Sequence, residues 1–339
     1  MTLSVVIVSY ASSGHVLATL DVVRAQLQPG DEVVVVDNAS PDGTADLVAG
    51  AAPWARLERS ATNTGFAGGA NRGAELARGA LLLFLNPDAV PEPGALDALR
   101  AGAARWDAWQ GLLLRDDAEL VNSAGGEVHY LGVAWAGGCD APARDAGRDP
   151  RPIGFASGAC LAVSRARFLA LGGFSAPFFM YCEDVDLSLR VRLAGGRVGI
   201  EPAARFRHDY DFGKGPEKWL GLERNRWWTV LRTYPWPLLA AVLPAMLGLE
   251  LALLVVAARG GWLPAKARAT RAAAGGLPRV LRERRDIQAR RAIPAAAFAA
   301  ALRDVVESPY VPAAAQGSPA GALLRAYGLL VRLACRIDR

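Results

Sequence analysis

The stretch Glu32-Val33-Val34-Val35-Val36-Asp37 decides the fold, because four consecutive valines predict a strand that is buried on both faces of a parallel sheet. A second apolar run, Leu3-Ser4-Val5-Val6-Ile7-Val8-Ser9-Tyr10, comes before it, and residues 15–26 between the two runs predict a helix. Ser40 and Pro41 are typical of the N-cap and first turn of another helix. This β-α-β-α order predicts an α/β fold with a Rossmann-like, doubly wound, mostly parallel sheet.

Acidic residues follow two of the predicted strands. In a doubly wound sheet, ligands bind at the carboxyl ends of the strands. Asp37 stands at such an end, and we predict that it accepts hydrogen bonds from the base or ribose of a nucleotide; the alternative is a turn cap. Asp88 follows the apolar run of residues 80–85 and would reach the same edge, where a carboxylate suits a divalent cation. An ordinary Pro-Asp turn is the alternative for Asp88.

The glycine-dense segment from Asn63 to Gly73 predicts a loop followed by a helix from Ala70 to Arg78. Glycine lets the backbone approach a ligand closely, and the N-terminus of that helix, with Arg72, would face a diphosphate. Simple turns are the alternative. A dinucleotide-binding dehydrogenase is excluded, since the residues after the first strand, Tyr10-Ala11-Ser12-Ser13-Gly14, lack the glycine pattern of that fold.

The segment from Phe178 to Arg190 contains three carboxylates behind an aromatic run. Neighbouring carboxylates repel each other, so burying Glu183 and Asp184 together indicates proton transfer or cation binding. The alternative is an acidic first helical turn that complements the helix dipole, with Asp186 paired to Arg190 one turn later. The helix start would lower the pKa of Asp184, whereas Glu183 and the aromatic run would raise it.

The last third of the chain is apolar and basic. Leu238 to Ala258 is about as long as a bilayer span, although Pro244 and Glu250 interrupt it. From Arg259 to Arg303 there are eleven Lys or Arg against two Asp or Glu, in a chain whose net charge is +5. We expect helices that lie in the interface of an anionic membrane or enter it partway; a packed helical hairpin and a full span are the alternatives. The change in composition predicts domains at residues 1–232 and 233–339.

Composition limits the classes of function further. The four scattered cysteines argue against a zinc site and a disulfide scaffold. A basic patch beside an apolar segment fits a membrane surface better than nucleic acid. The N-terminus has no basic n-region, so we expect no secretory signal and a location on the cytoplasmic side.

The order of these motifs over residues 3 to 232 resembles the family 2 inverting glycosyltransferases of the GT-A fold, particularly the rhamnosyltransferase-like members that build bacterial cell-envelope polysaccharide. The resemblance implies that Asp184 is the catalytic base and that Glu183 contacts the acceptor. It implies a divalent cation, Mg²⁺ or Mn²⁺, held by Asp88 and His208; a structural histidine is the alternative for His208. It also implies a nucleotide-sugar site formed by the strand exits and the glycine-dense segment: Ser9, Tyr10, Asp37, Asn63, Gly65, Asn71, Arg72 and Asn86.

One motif departs from the family, because Asn86 stands where the family has the first acid of Asp-x-Asp. The resemblance implies transfer of a sugar such as rhamnose from a UDP- or dTDP-linked donor. The implied acceptor is a glycan or a polyprenyl-diphosphate-linked sugar, and the enzyme would be peripheral or monotopic on the cytoplasmic face of the inner membrane. A catalytically degenerate nucleotide-sugar-binding scaffold is an alternative that Asn86 favours. A nucleotidyltransferase is another, but it needs a Gly-rich loop with Lys or Arg directly after the first strand. The sequence leaves the oligomeric state open.

Overall fold

The valine run forms a central part of one strand in a ten-stranded sheet of the computed structural model, which describes residues 1–208, 215–307 and 319–336. Two further short strands, β8 and β9, form a separate two-stranded sheet. In chain order the described strands are β1 (Leu3–Ser9), β2 (Glu32–Asp37), β3 (Arg56–Arg59), β4 (Leu81–Leu85), β5 (Val90–Pro91), β6 (Ala108–Leu114), β7 (Val121–Ser123), β8 (Gly126–Val128), β9 (Ala134–Ala136), β10 (Arg151–Pro152), β11 (Cys160–Ser164) and β12 (Val198–Arg207).

The large sheet has the strand order β10-β12-β6-β11-β4-β1-β2-β3, with β5 beside β12 and β7 beside β6. The strands from β3 to β4 are parallel, and β11 runs antiparallel between β4 and β6. Alternate residues of β1 enter two separate cores, since Val5 and Ile7 lie in one and Val6 and Val8 in the other. Both faces of this strand are therefore buried, which confirms the prediction from the apolar runs.

The helices divide between two compact units. The first unit comprises residues 1–126, 136–191 and 196–208 and contains the large sheet; the described part of the second comprises residues 127–135, 192–195, 215–307 and 319–336. Residues 215–232, which the composition groups with the first domain, belong to the second unit by their contacts. The helices are α1 (Val16–Arg24), α2 (Thr44–Ala51), α3 (Gly65–Leu76), α4 (Ala95–Ala101), α5 (Arg165–Ala170), α6 (Glu183–Leu193), α7 (Gly215–Thr233), α8 (Trp236–Arg259), α9 (Leu263–Gly275), α10 (Leu277–Ala289), α11 (Ala295–Ala300) and α12 (Pro319–Cys335).

Helix α2 begins later than the sequence predicts. Its N-cap is Gly43, in a left-handed conformation with φ at 78°, and not Ser40. The Ser40 hydroxyl instead accepts a hydrogen bond from Ala11 N (3.1 Å). The Asp42 carboxylate accepts one from Thr44 N (3.2 Å), so this acid serves the first turn because it lies closer to the helix.

Helix α3 begins at Gly65, whereas the sequence predicts a start at Ala70. The glycines that suggested a loop therefore lie inside the helix, where they let it approach the sheet. A Cβ atom on Gly73 would stand 2.3 Å from a methyl carbon of Val6 in β1, a distance that real Cβ atoms do not reach. Glycine is needed here for close packing of helix on strand.

The apolar stretch from Leu238 to Ala258 lies inside one continuous helix, α8, so the alternative of a helical hairpin does not apply within these residues. By its length and composition α8 could cross a membrane. Pro244 lies within the helix without ending it. Whether α8 spans a membrane or lies on it depends on which of its faces the protein covers.

A buried ionic cluster in the second unit explains the acid inside α8. Glu250 accepts a hydrogen bond from the Trp227 indole nitrogen (2.9 Å) and forms ion pairs with Arg226 of α7 and Lys266 of α9, the latter at 2.6 Å. Glu223 pairs with the same two bases, with its Oε2 3.3 Å from an Arg226 nitrogen. Two acids and two bases thus neutralise one another, and they join α7, α8 and α9.

Candidate active site

The first part of the site is the sheet edge where β1 and β2 end, side by side, at Ser9 and Asp37. Both side chains are buried, and Asp37 Oδ2 accepts a hydrogen bond from Ser40 N (3.2 Å). Asp37 Oδ1 and Ser9 Oγ have no hydrogen-bond partner among the described residues. Tyr10, the next residue after β1, is exposed. Buried polar atoms without partners are rare in folded proteins, and a bound ligand is one reason for them.

Asn38 organises the loop that follows this edge, although nothing in the sequence distinguishes it beyond its position next to Asp37. Its Nδ2 donates to Asn63 Oδ1 (3.0 Å) and to Gly65 O (2.9 Å). Its Oδ1 accepts from the backbone N and the hydroxyl of Thr64, both at 3.0 Å. These four bonds hold residues 63–65, and with them two predicted site residues, at the end of β2.

The loop that leads into α6 is strained. Phe179, Tyr181 and Cys182 have positive φ angles of 65°, 75° and 62°, which residues with a Cβ rarely adopt. The N-terminus of α3 holds this loop, because Ala67 N donates to Phe179 O (3.1 Å). Gly65 is required at the same contact, since a Cβ there would stand 2.2 Å from Phe179 O. Strain of this kind is concentrated at functional sites.

The acidic pair follows directly, in the first turn of α6. Asp184 Oδ2 accepts a hydrogen bond from Gly158 N (2.9 Å), and its Oδ1 accepts one from Val185 N (2.8 Å). Glu183 is buried, and its Oε2 has no partner within the described chain. Burial raises the pKa of Asp184 despite these hydrogen bonds, and burial together with the charge of Asp184 raises the pKa of Glu183 well above its ordinary value. Of the two opposing directions predicted for the pKa of Asp184, the upward one prevails, and its cause is burial.

The third acid of the segment, Asp186, forms an ion pair inside the protein. Asp186 is fully buried and accepts a hydrogen bond from Arg190 Nε (2.7 Å). The two terminal nitrogens of Arg190 donate to Leu171 O (2.8 Å) and Gly173 O (2.7 Å). This ion pair therefore ties α6 to the loop that precedes it, as the structural alternative for Asp186 predicts.

The predicted metal ligands meet because β5 pairs with β12, which brings the turn after β4 beside the end of β12. His208 Nε2 lies 3.5 Å from Asp88 Oδ1 and 3.2 Å from Asn86 Nδ2. The His208 side chain is 3% exposed and that of Asp88 41%, so the carboxylate opens outward. Within the described chain no group of three His, Cys, Asp or Glu side chains could hold a metal ion. One carboxylate and one imidazole fit a cation whose other ligands are phosphate oxygens and water.

A chain of hydrogen bonds connects the acidic pair with the predicted metal ligands. Gly158 donates to Asp184, and the adjacent Ala159 O accepts a hydrogen bond from Asn86 N (3.1 Å). Asn86 in turn contacts His208. The short segment of residues 158–159 therefore connects the start of α6 with the end of β4.

Known proteins are similar to this chain in sequence. The family model of Glycosyl transferase family 2 matches residues 4–115. An N-acetylglucosaminyl-diphospho-decaprenol L-rhamnosyltransferase of Mycobacterium tuberculosis is 33% identical over 231 residues, which cover 61% of this chain and 75% of that protein. The chain belongs to glycosyl transferase family 2.

Solved structures agree with this family 2 glycosyltransferase in fold. GalNAc-T7 with UDP, GalNAc and Mn²⁺ matches with a TM-score of 0.55 and 16% identity, over 70% of this chain and 48% of that one, so the chain spans about half its length. S. aureus TarS in complex with UDP matches with a TM-score of 0.54 and 15% identity, over 98% of this chain and 89% of that one. Together with the strand order, these matches confirm the predicted GT-A fold.

Two residues of the glycosyltransferase that were predicted to bind the nucleotide have partners within the chain. Asn71 Oδ1 accepts a hydrogen bond from Phe174 N (2.8 Å), and its Nδ2 donates to Phe174 O (2.9 Å). Arg72 pairs with Glu58 (2.8 Å) and with Glu75 (3.2 Å). The cause is the early start of α3, which places both residues two turns into the helix and away from its N-terminus.

Proposed function

We propose that this glycosyltransferase moves rhamnose from a UDP- or dTDP-linked donor to a polyprenyl-diphosphate-linked sugar, with inversion at the anomeric carbon. The name of the mycobacterial relative, which acts on an N-acetylglucosaminyl-diphospho-decaprenol, supports the sugar and the acceptor. The observation that carries the proposal is the connection of Asp184, through residues 158–159, to the turn after β4, where Asp88 lies 3.5 Å from His208.

The reaction is a single displacement. An acceptor hydroxyl attacks the anomeric carbon of the donor, its proton passes to Asp184, and the bond from that carbon to the diphosphate oxygen breaks. Because burial raises the pKa of Asp184, its carboxylate binds a proton more strongly than an ordinary aspartate does, and it is therefore a better general base. One displacement on one face of the sugar inverts the anomeric configuration.

The charge that remains on the leaving nucleoside diphosphate needs stabilisation. Asp88 and His208 would hold Mg²⁺ or Mn²⁺, which supplies positive charge to the phosphate oxygens when bound. Asp37 would orient the donor through its base or ribose, with Ser9 and Tyr10 beside it. Asn63 and Gly65 would line the same pocket, because Asn38 holds both of them at the end of β2.

The second candidate is a catalytically degenerate scaffold that binds a nucleotide-sugar without transferring it, because Asn86 stands where the family has the first acid of Asp-x-Asp. The raised pKa values of Glu183 and Asp184 favour an enzyme instead. The test is a screen of UDP- and dTDP-sugars for donor hydrolysis and for transfer to a polyprenyl-diphosphate-linked acceptor. Each donor is assayed with Mg²⁺, with Mn²⁺ and with EDTA. We expect turnover of a rhamnose donor that depends on the cation. Nucleotide-sugar binding without turnover of any donor would support the scaffold and reject the enzyme.

We also propose that the second unit attaches to the cytoplasmic face of the membrane through one apolar face, as a peripheral or monotopic protein. Helix α12 packs on α8, with the Tyr327 hydroxyl donating to Ala241 O (2.6 Å). The apolar face consists of large exposed side chains of these two helices: Leu243, Leu247, Leu251, Leu254 and Val255 of α8, and Leu323, Leu329, Leu330 and Leu333 of α12. Spacings of four along α8 place its members on one side of the helix.

The position of Glu250 favours a helix on the membrane over a helix across it. Its ion pairs with Arg226 and Lys266 cover one side of α8 with protein, whereas Leu251 is 66% exposed. The exposed Arg259 and Arg271 supply charge of the sign that anionic lipid attracts.

Flotation with anionic vesicles tests this attachment. The double variant Leu247→Glu and Leu251→Glu should lose most vesicle binding, because two charges would enter the acyl region. Leu169→Glu, an equal change at an exposed site in the first unit, is the control and should bind as the parent protein does. Equal binding by all three proteins would contradict the attachment.

A further inference from the structure

The segment between β4 and β5, which carries the proposed cation ligand Asp88, is a β-turn of four residues from Asn86 to Ala89. A hydrogen bond from Ala89 N to Asn86 O (3.1 Å) closes it. Pro87 stands at the second position of the turn, where proline is favoured because its φ is already fixed. Asp88 stands at the third position, and its φ is not positive, which fits a type I turn and excludes type II.

The direction of the Asp88 side chain depends on the peptide group between Pro87 and Asp88. Type I and type II turns differ chiefly in the orientation of this central peptide, which is reversed between them. Its reversal would give Asp88 the positive φ of a type II turn, which aspartate adopts more easily than most residues do. The residues of the turn therefore do not by themselves fix the direction in which the carboxylate leaves the backbone.

Thr19 of α1 holds the carbonyl of that peptide. Its Oγ1 donates a hydrogen bond to Pro87 O (2.7 Å), although 68 positions separate the two residues in the chain. The Thr19 side chain is fully buried, as are Val16 and Leu20 of the same helix. Because a hydroxyl on a packed helix is a rigid support, this hydrogen bond stabilises the central peptide in its type I orientation.

The Thr19 hydroxyl differs in its target from other helical threonines of this chain. A threonine inside a helix commonly bonds to the carbonyl one turn earlier in the same helix. Thr233 of α7 does so, since its hydroxyl donates to Thr229 O (2.7 Å). Thr270 of α9 likewise donates to Lys266 O (3.1 Å). Thr19 donates instead to a separate segment, and that segment carries a proposed cation ligand.

We propose that Thr19 is a positioning residue of the cation site, which acts through the Pro87 carbonyl on the direction of the Asp88 carboxylate. That carboxylate lies 3.5 Å from His208 Nε2 at the end of β12. A ligand group must be held within about half an ångström of its productive place, and Asp88 extends from a turn with two accessible forms. The cation site itself rests on the proposed function; the hydrogen bond from Thr19 to Pro87 does not.

Binding of Mn²⁺ to the full chain tests the proposal without turnover. Free Mn²⁺ is measured by electron paramagnetic resonance with saturating UDP, which supplies phosphate oxygens, and a titration of UDP alone is subtracted. Thr19→Val removes the hydroxyl but keeps the branched shape of the side chain, whereas Thr19→Ser keeps the hydroxyl. Thr19→Val should weaken Mn²⁺ binding about three- to tenfold, the factor that corresponds to one lost hydrogen bond, because the carboxylate remains but is free to turn away. Thr19→Ser should stay within about twofold of the parent protein.

Thr233→Val is the matched control. The Thr233 hydroxyl is also buried and also donates a 2.7 Å hydrogen bond to a carbonyl, but that carbonyl belongs to its own helix. This variant loses the same kind of bond and should bind Mn²⁺ within about twofold of the parent protein. Thermal unfolding confirms that each variant is folded. If Thr19→Val is not, Thr19→Ala and Thr233→Ala replace the two valine variants, because alanine is well tolerated inside a helix.

Equal Mn²⁺ affinities of Thr19→Val and Thr233→Val would overturn the proposal, and so would an equal loss in Thr19→Ser, because the hydroxyl would then not be the cause. If Asp88→Ala weakens Mn²⁺ binding and Thr19→Val does not, the cation site is correct and the role of Thr19 is wrong. A parent protein that binds no Mn²⁺ removes the cation site and the role of Thr19 together. The expected Mn²⁺ affinities in a chain that turns over no donor would support Thr19 and reject the proposed enzyme.

Discussion

Replacing Asp184 by asparagine should remove the general base while leaving the donor site intact. A positioned base contributes about 10²- to 10⁴-fold to a proton-transfer step, so the transfer rate should fall by at least about 100-fold. The donor contacts of the proposed mechanism lie at Asp37 and Asp88, and neither side chain bonds to Asp184. Donor affinity should therefore change little.

The hydrogen bonds of Asp184 determine how much the substitution to asparagine changes the free energy of unfolding. Asp184 accepts one backbone N–H on each oxygen, from Gly158 and from Val185. An asparagine keeps one acceptor and turns an NH₂ group toward the other donor, which costs about 1–3 kcal/mol for the unpaired group. Neutralising a partly buried charge whose pKa is raised offsets part of that cost. We therefore expect a folded variant with a modest change in its free energy of unfolding.

The assay follows transfer to the acceptor under single-turnover conditions, with donor affinity measured by calorimetry and folding by thermal unfolding. Glu183→Gln is the matched control, because it also neutralises a buried carboxylate of the same turn but leaves Asp184 in place. If Glu183 contacts the acceptor, this control should raise KM more than it lowers kcat. A transfer rate for Asp184→Asn above about one tenth of the parent rate would refute the base assignment.

Three further changes test the rest of the site. Asn38→Ala should lower the free energy of unfolding by roughly 2–4 kcal/mol in urea titrations, because it leaves the buried Gly65 O and the partly buried Thr64 N without their Asn38 partner. A loss under about 1 kcal/mol would contradict the role of Asn38 in holding the loop. Glu183→Gln should raise thermal stability at pH 8. Because the pKa of Glu183 is raised, the folded parent chain binds more protons than the unfolded chain, and its stability falls as pH rises above about 4.3. The extra stability of Glu183→Gln should therefore vanish near pH 4. A stability gain that does not change with pH would argue against the raised pKa as its cause. Asp88→Ala should raise the concentration of Mg²⁺ or Mn²⁺ that gives half-maximal activity by about tenfold or more, and an unchanged metal titration would remove Asp88 from the cation site.

The first strands were predictable because their signal is local. Four valines in a row need burial on both faces, and a parallel sheet provides it, so β1, β2 and β4 lie where the apolar runs place them. Asp37 lies at the strand end for the same reason. The start of α3 was not predictable from the same kind of signal, because a glycine in a loop and a glycine packed against Val6 look identical in the sequence.

Asn38 and Trp228 show a second limit of the sequence. The importance of Asn38 comes from residues 63–65, which are more than twenty positions away, and no local pattern records such a bond. Likewise, Arg224 and Arg279 are members of two separate helices in the sequence, and their convergence on Trp228 exists only after α7 and α10 pack together.

The sequence by itself determined the α/β sheet, the strand-end position of Asp37 and the presence of two adjacent carboxylates before an apolar and basic region. Only the tertiary structure determined the pKa values and the surroundings of those carboxylates. Burial of the first turn of α6, with strained residues before it and Gly158 against it, raises the pKa of both acids, and the pairing of β5 with β12 brings His208 to Asp88. The reason is physical: hydrophobic periodicity is encoded between neighbours in the chain, whereas desolvation and charge balance depend on what the fold places around a group.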